Sequence, residues 1–332
     1  MAPPMLPVNK SGIGEKEEPG QAVTPNDHKP GLNEPHLVDV SKTGILYGLC
    51  IASATLLLAV ALCLYSLGIA TTLSALTTLG LLVVTRHFSI LRRRKPVDVE
   101  AGTQKPGPDL SHLPAVSYLY VMGSGGHSTE MFSLIQLSFG VNHNQHRRYI
   151  IARGDEHSQN RKEDVESAFQ ESCPDGSAGT HDAFIVTRAR GVGQSYFTSV
   201  YSSLECARDI LDALTTVPAQ RIGQPNAAGF KFPHVIVTNG PGTGFVVGLM
   251  AHILKMLYLV PQDRLKIIFV ETWARTHSLG VTGKLFYWTG ITDLFVVQST
   301  LLSKVTGKPN IGNLNRRMNK ARQQQQRDKR KK

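Results

Sequence analysis

From Thr43 to Thr85 the chain runs for 43 residues without a charged side chain. A membrane-spanning helix needs about 20 apolar residues, so this stretch predicts at least one span. Ile45 to Ile69, dense in Leu, Ala, Ile and Val, is the better candidate. Ala70 to Thr85 is weaker, since Ser and Thr fill six of its sixteen positions; it suits a second short span, an interfacial helix or a re-entrant piece. After Pro114 the pattern changes. Val116–Met122 is an apolar run of strand length, followed by a glycine turn and by helical spacing over Thr129–Phe139. Tyr149–Ala152 and Ala183–Thr187 read as strands and Phe197–Leu214 as a helix. His234–Val237 reads as a strand leading to a helix over Phe245–Tyr258, and Leu265–Val270 and Asp293–Gln298 as further strands. Strands alternating with helices imply an α/β domain with a mainly parallel sheet covered on both faces.

Charge changes the picture in one respect. The net charge of +11 invites a nucleic-acid reading, but Arg316–Lys332 alone carries +8 and Arg86–Lys95 another +5, which leaves the rest at −2. The folded body is close to neutral, and the basic residues after the apolar run place the carboxyl-terminal remainder of the chain on the cytosolic side of a membrane. Hydrophobic residues make up 41% of the chain, enough for a core, and four scattered cysteines fit a reducing compartment rather than a disulfide framework. The expected organisation is a disordered tail over 1–42, rich in Pro, Gly and charge, and a membrane anchor over 43–91. A linker over 92–114, an α/β domain over 115–312 and a basic tail over 313–332 complete it.

Four constellations carry candidate chemistry. Gly123-Ser124-Gly125-Gly126-His127-Ser128-Thr129-Glu130 lies between a strand and a helix, where glycines admit close backbone approach and a helix amino terminus offers free N–H groups to a phosphate or diphosphate. It lacks the Gly-Lys-Ser/Thr element of a P-loop, and Ser128 replaces the third glycine of a dinucleotide fingerprint. His127 at its mouth suits a hydrogen bond to phosphate or acceptance of a proton from an attacking hydroxyl, or equally a helix cap. Asn239-Gly240-Pro241-Gly242-Thr243-Gly244 is a second turn of the same kind, and a tight turn that only permits close packing is the competing reading of both. Glu271 and Arg275 come just after a strand and suit either mutual pairing or a site. Arg188-Ala189-Arg190-Gly191-Val192-Gly193-Gln194-Ser195 offers guanidinium groups to a phosphate or simply to water. The residues show no metal pattern and no requirement for a cofactor.

Gly123–Glu130, Arg188–Ser195, Asn239–Thr243 and Phe269–Lys284 together resemble the membrane-anchor subunit of the dolichol-linked UDP-N-acetylglucosamine transferase, which adds the second N-acetylglucosamine in asparagine-linked glycosylation. The resemblance covers about Val116–Gln298, with four motifs in order behind a membrane anchor. It implies a Rossmann-like domain equivalent to the amino-terminal, acceptor-binding half of a GT-B glycosyltransferase. A separate soluble subunit then binds UDP-N-acetylglucosamine and docks at the cytosolic face of the endoplasmic reticulum or the nuclear envelope. The glycine loop also resembles the acceptor-side loop of the bacterial lipid-linked transferase of peptidoglycan precursor synthesis. The resemblance assigns Gly123, Ser124, Gly125, Gly126, Asn239, Gly240, Gly242, Thr243, Glu271 and Arg275 to the lipid diphosphate and His127 to catalysis.

Two departures stand out. Gly244 replaces a residue usually larger in the family, and after Gln298 a polar, basic ending replaces the usual Trp-Pro and apolar tail. Partner docking is therefore expected on the folded body, with Leu294–Val297 and Leu301–Val305 as candidates. The alternatives are a pure membrane scaffold, a subunit of a related lipid-linked polysaccharide transferase, or a nucleotide-dependent oxidoreductase. No Tyr-x-x-x-Lys pair supports the last.

Overall fold

The computed structural model describes residues 42–93 and 113–314 except Pro174, Val192 and Pro241, with scattered positions beyond 314. The expected tail over 1–42 except Lys42, most of the linker and most of the basic tail lie outside the described residues. The chain forms two compact units that divide at Leu81 and Leu82.

The uncharged stretch is two helices, α1 (Lys42–Leu67) and α2 (Ile69–Arg92). They are separated by Gly68, whose φ of +79° is open to glycine at little cost. Both helices are longer than the about 20 residues that a span needs, and α2 is apolar enough along its described length to cross a membrane. Thr77 donates to the Leu73 carbonyl and Thr78 to the Ser74 carbonyl, both at 2.8 Å, so these hydroxyls are satisfied within the helix.

The second unit is the α/β domain. Its strands are β1 (Val116–Val121), β2 (Gln145–Ala152), β3 (Thr180–Val186), β4 (Val235–Thr238), β5 (Lys266–Val270) and β6 (Leu294–Val296). They form one fully parallel sheet in the order β3-β2-β1-β4-β5-β6. Helices α3 (Gly126–Ser138) and α4 (Glu156–Ser172) cover one face, through Met131, Phe132, Ile135, Val165 and Phe169. Helices α5 (Tyr196–Thr215), α6 (Gly242–Met256), α7 (Val281–Thr289) and α8 (Thr300–Thr306) cover the other, through Ile210, Val247, Ala251, Phe286 and Leu302. The strand order reverses between β1 and β4, and ligands of such sheets bind outside the carboxyl ends of the strands at that reversal.

Strand β2 starts four residues earlier than its apolar run, because its polar residues are paired. Successive strand side chains point to opposite faces, so Arg147 and Arg148 diverge. Arg147 makes a forked pair with Glu166 of α4 (2.7 and 2.6 Å) and donates to the Ala178 carbonyl at 2.6 Å. Arg148 pairs with Asp182 of β3 and donates to the Ala213 and Thr216 carbonyls at the end of α5.

Two docking expectations need correction. Phe295, Val296 and Val297 are buried, because β6 is sealed by α7, α8 and the Ile311–Leu314 segment, and only Leu301 and Val305 of the named residues are exposed. Leu314, expected in the polar tail, packs with Val270 and Val296, and its N–H reaches Gln298 Oε1 at 3.0 Å.

Candidate functional site

The two glycine turns lead out of β1 and β4, the strands flanking the reversal, so the topology sets them side by side. Gly123 is buried, while Ser124, Gly125 and Gly126 are exposed at the mouth of the loop. Gly125 adopts φ 60° and ψ −121°, a conformation glycine alone takes without strain. It is also the residue before α3, and no side chain caps that helix. Ser128 and Thr129 do not serve as caps; both hydroxyls donate to the Gly125 carbonyl (3.2 and 3.3 Å). The first N–H groups of α3 therefore point out unsatisfied by a cap, at the positive end of the helix dipole.

A side chain at Gly125 meets no neighbouring atom, so Gly125→Ala tests the backbone conformation alone. It should cost about 1–3 kcal/mol of strain and reduce ligand binding through the distorted turn. Thermal unfolding and an acceptor-binding measurement on the same preparation check both effects.

His127 does not cap the helix either. Its ring lies against Gly240 of the second turn, where a Cβ would come within 3.1 Å of Cε1. Asn239 Nδ2 donates to the His127 carbonyl at 2.7 Å, locking the two turns together. Three buried polar atoms at this junction have no partner among the described residues: His127 Nδ1, Thr238 Oγ1 and Asn239 Oδ1. Buried polar atoms are nearly always paired, so such a cluster marks a place for a ligand. Gly242 is exposed and Thr243 buried, its hydroxyl 3.4 Å from the Ala189 N–H. That contact brings the Arg188–Ser195 loop to the second turn. Within the loop Arg190 Nε is held by the Gln194 carbonyl at 3.0 Å.

Glu130, three residues after His127, is buried and accepts from Gln298 Nε2 at 2.5 Å, the Trp273 N–H at 2.9 Å and Asn239 Nδ2 at 3.4 Å. Gln298 also donates to the Glu271 carbonyl at 3.1 Å. One carboxylate thus ties together the ends of four strands. The sequence shows Glu130 inside the first motif but gives no sign of this role, since its partners lie more than 100 residues away.

Glu271 and Arg275 do not form the pair that their spacing allows, because the segment is a loop rather than a helix. The Glu271 carboxylate is buried and accepts from the Gly280 and Thr272 N–H groups (3.2 and 3.3 Å). Burial raises its pKa above the ordinary carboxylate value in spite of these donors. Arg275 is exposed and acts on it only at longer range. Gly283 is required at its position in α7, since a Cβ there would collide with the Glu271 carboxylate. Gly244 is constrained in the same way, because its Cβ would collide with the Thr238 side chain.

Residues 118–314 match the family model described as "Oligosaccharide biosynthesis protein Alg14 like". A Debaryomyces hansenii protein named UDP-N-acetylglucosamine transferase subunit ALG14 is 30% identical over 188 residues, 57% of this chain and 71% of that one. The Aspergillus fumigatus protein of that name is 30% identical over 51% of this chain and 90% of its own, and the human one 29% over 57% and 78%. Among solved structures, MurG of Acinetobacter baumannii aligns with a TM-score of 0.31 and 10% identity, over 57% of this chain and 43% of that one. The family match runs from β1 to Leu314, the last buried residue of the core, and takes in both glycine turns and the Glu130 network. The chain belongs to the Alg14 family of oligosaccharide biosynthesis proteins.

Proposed function

We propose that this chain is the membrane-anchored, acceptor-binding subunit of a two-component N-acetylglucosaminyltransferase. In this reading it presents N-acetylglucosaminyl-diphosphodolichol at the cytosolic face of the endoplasmic reticulum membrane. A soluble partner brings UDP-N-acetylglucosamine, and the complex adds the second sugar. The observation that carries the reading is the junction of the two turns, where three unpartnered buried polar atoms lie beside an uncapped helix amino terminus. That combination suits a diphosphate, and α2 supplies an anchor suited to a lipid-linked one.

In the proposed reaction the free N–H groups of α3 and the Gly240–Gly242 turn hold the acceptor diphosphate. A hydroxyl oxygen of the acceptor sugar attacks the anomeric carbon of the donor, and the bond from that carbon to the β-phosphate oxygen breaks, releasing UDP. The hydroxyl proton passes to the His127 ring. Asn239 holds the backbone of His127, and Glu130 holds Asn239, so the base is positioned by a buried framework rather than by a free loop.

A GT-B enzyme needs two α/β domains, and the described residues hold one. The purified chain should therefore transfer no sugar alone and bind UDP-N-acetylglucosamine weakly. Adding the soluble subunit should restore transfer to a synthetic N-acetylglucosaminyl-diphosphoprenol. Robust turnover by the single chain would overturn the division of labour.

A further inference from the structure

The last turns of α2, from Leu82 onward, pack into the α/β unit at one place. Arg86 Nη2 donates to the Lys255 carbonyl at 2.7 Å, and its guanidinium stacks on the Tyr258 ring at 3.6 Å. His87 Nδ1 meets His252 Nε2 at 2.9 Å, and Ile90 is buried. Leu91 lies beside Gly290, the residue that ends α7. Arg86 is the first charge after the apolar stretch, so it marks the level at which α2 leaves a bilayer.

Exposed apolar side chains lie on the two elements that touch these turns of α2. Leu257, Tyr258 and Leu259 come directly after α6 and are 62%, 75% and 60% exposed. Tyr258, two residues past α6, adopts φ +59°, where glycine is the usual residue and a bulky side chain is strained. Strain of this kind persists where a side chain has a task. On α7 the exposed face reads Val281, Lys284 and Trp288, with half-buried Leu285 between them. This apolar stripe runs from the Glu271 loop to Gly290, beside the end of α2. Tyr and Trp favour the membrane–water interface, and a lysine can bury its stem there while keeping its charge in water.

We infer that Leu257–Leu259 and the Val281–Leu285–Trp288 face of α7 form a lipid-contacting surface. It lays this face of the α/β unit against a bilayer. Continuity with α2 identifies the occupant as the bilayer itself, since Tyr258 stacks on Arg86 just past the apolar stretch and the α7 stripe ends at Gly290 beside Leu91. The inference rests on α2 being a span, as the proposed function also requires.

The test uses the full chain, with its exposed native cysteines replaced, reconstituted into phosphatidylcholine vesicles. Single spin labels are placed at Leu259→Cys and Val281→Cys. A label at Leu79→Cys reports on the span, and one at Ile222→Cys, an exposed apolar site beyond the α5 end of the unit, serves as the reference. Collision rates with oxygen and with a water-soluble nickel chelate give the depth of each label. The expected result is an oxygen-to-nickel ratio severalfold above Ile222 at both Leu259 and Val281. A lipid reading at Leu79 with an aqueous reading at Leu259 or Val281 overturns the surface but keeps the span. An aqueous reading at Leu79 removes the span and the inference together.

Discussion

Arg147→Ala is expected to destabilise the α/β unit by about 3–5 kcal/mol, the cost of leaving one charge of a buried pair uncompensated. Arg147 and Glu166 are both almost fully buried, at 2% and 1% side-chain exposure, and hold each other through two short hydrogen bonds. Tyr149 Oη adds a third bond to Glu166 at 2.5 Å, and His181 Nδ1 lies 3.2 Å from it. Removing the guanidinium therefore strands a carboxylate among Phe139, Phe169 and Tyr149. Denaturant unfolding in detergent, followed by circular dichroism, measures the loss. A change below about 1 kcal/mol would place the pair among weak surface bridges.

The same pair sets an acid limit. Burial alone would raise the pKa of Glu166, but hydrogen bonds and charge from Arg147 and His181 prevail and lower it to about 2. A carboxylate depressed in the folded state stabilises fully above its unfolded pKa and loses that contribution as pH falls through the folded one. Asp182 is lowered too, because His146 and Arg148 outweigh the effect of its burial. Stability should hold down to about pH 4.5 and fall between there and about pH 2. Glu166→Gln should be less stable at neutral pH and show a flatter acid limb.

His127→Ala should lower sugar transfer by the reconstituted complex by about 10²-fold or more, the usual worth of a positioned general base. The effect should fall on kcat, with the acceptor KM little changed. The variant should still fold, since the His127 side chain is only half-buried and Asn239 binds the His127 backbone carbonyl rather than its ring. Transfer at the normal rate would reduce His127 to a packing residue of the turn.

How much the sequence discloses depends on how local each signal is. The parallel α/β plan was legible because each of its six strands contains an apolar run and two of its turns are glycine-rich. Helix α4 left no such signal. Of its 17 residues only Ser158, Val165, Glu166, Ala168 and Phe169 are buried, too few apolar positions to show a periodic stripe. The first half of β2 was hidden for a related reason, since Gln145–Arg148 are buried through partners on other elements that no local pattern shows. In the site, the turns and His127 were legible as motifs. The Glu130–Gln298 contact joins residues 168 apart and appears only once the strands are ordered.

The collision between Gly244 and Thr238 also restricts how this protein can change over generations. A lineage carrying this pair strains the end of β4 if it acquires any larger residue at 244 while threonine remains at 238. The intermediate would force a buried, β-branched side chain out of its place at the end of β4. A smaller residue at 238 has to arise first, and only then does position 244 become free to vary. The two positions form an ordered pair in mutational space, open from one direction and closed from the other.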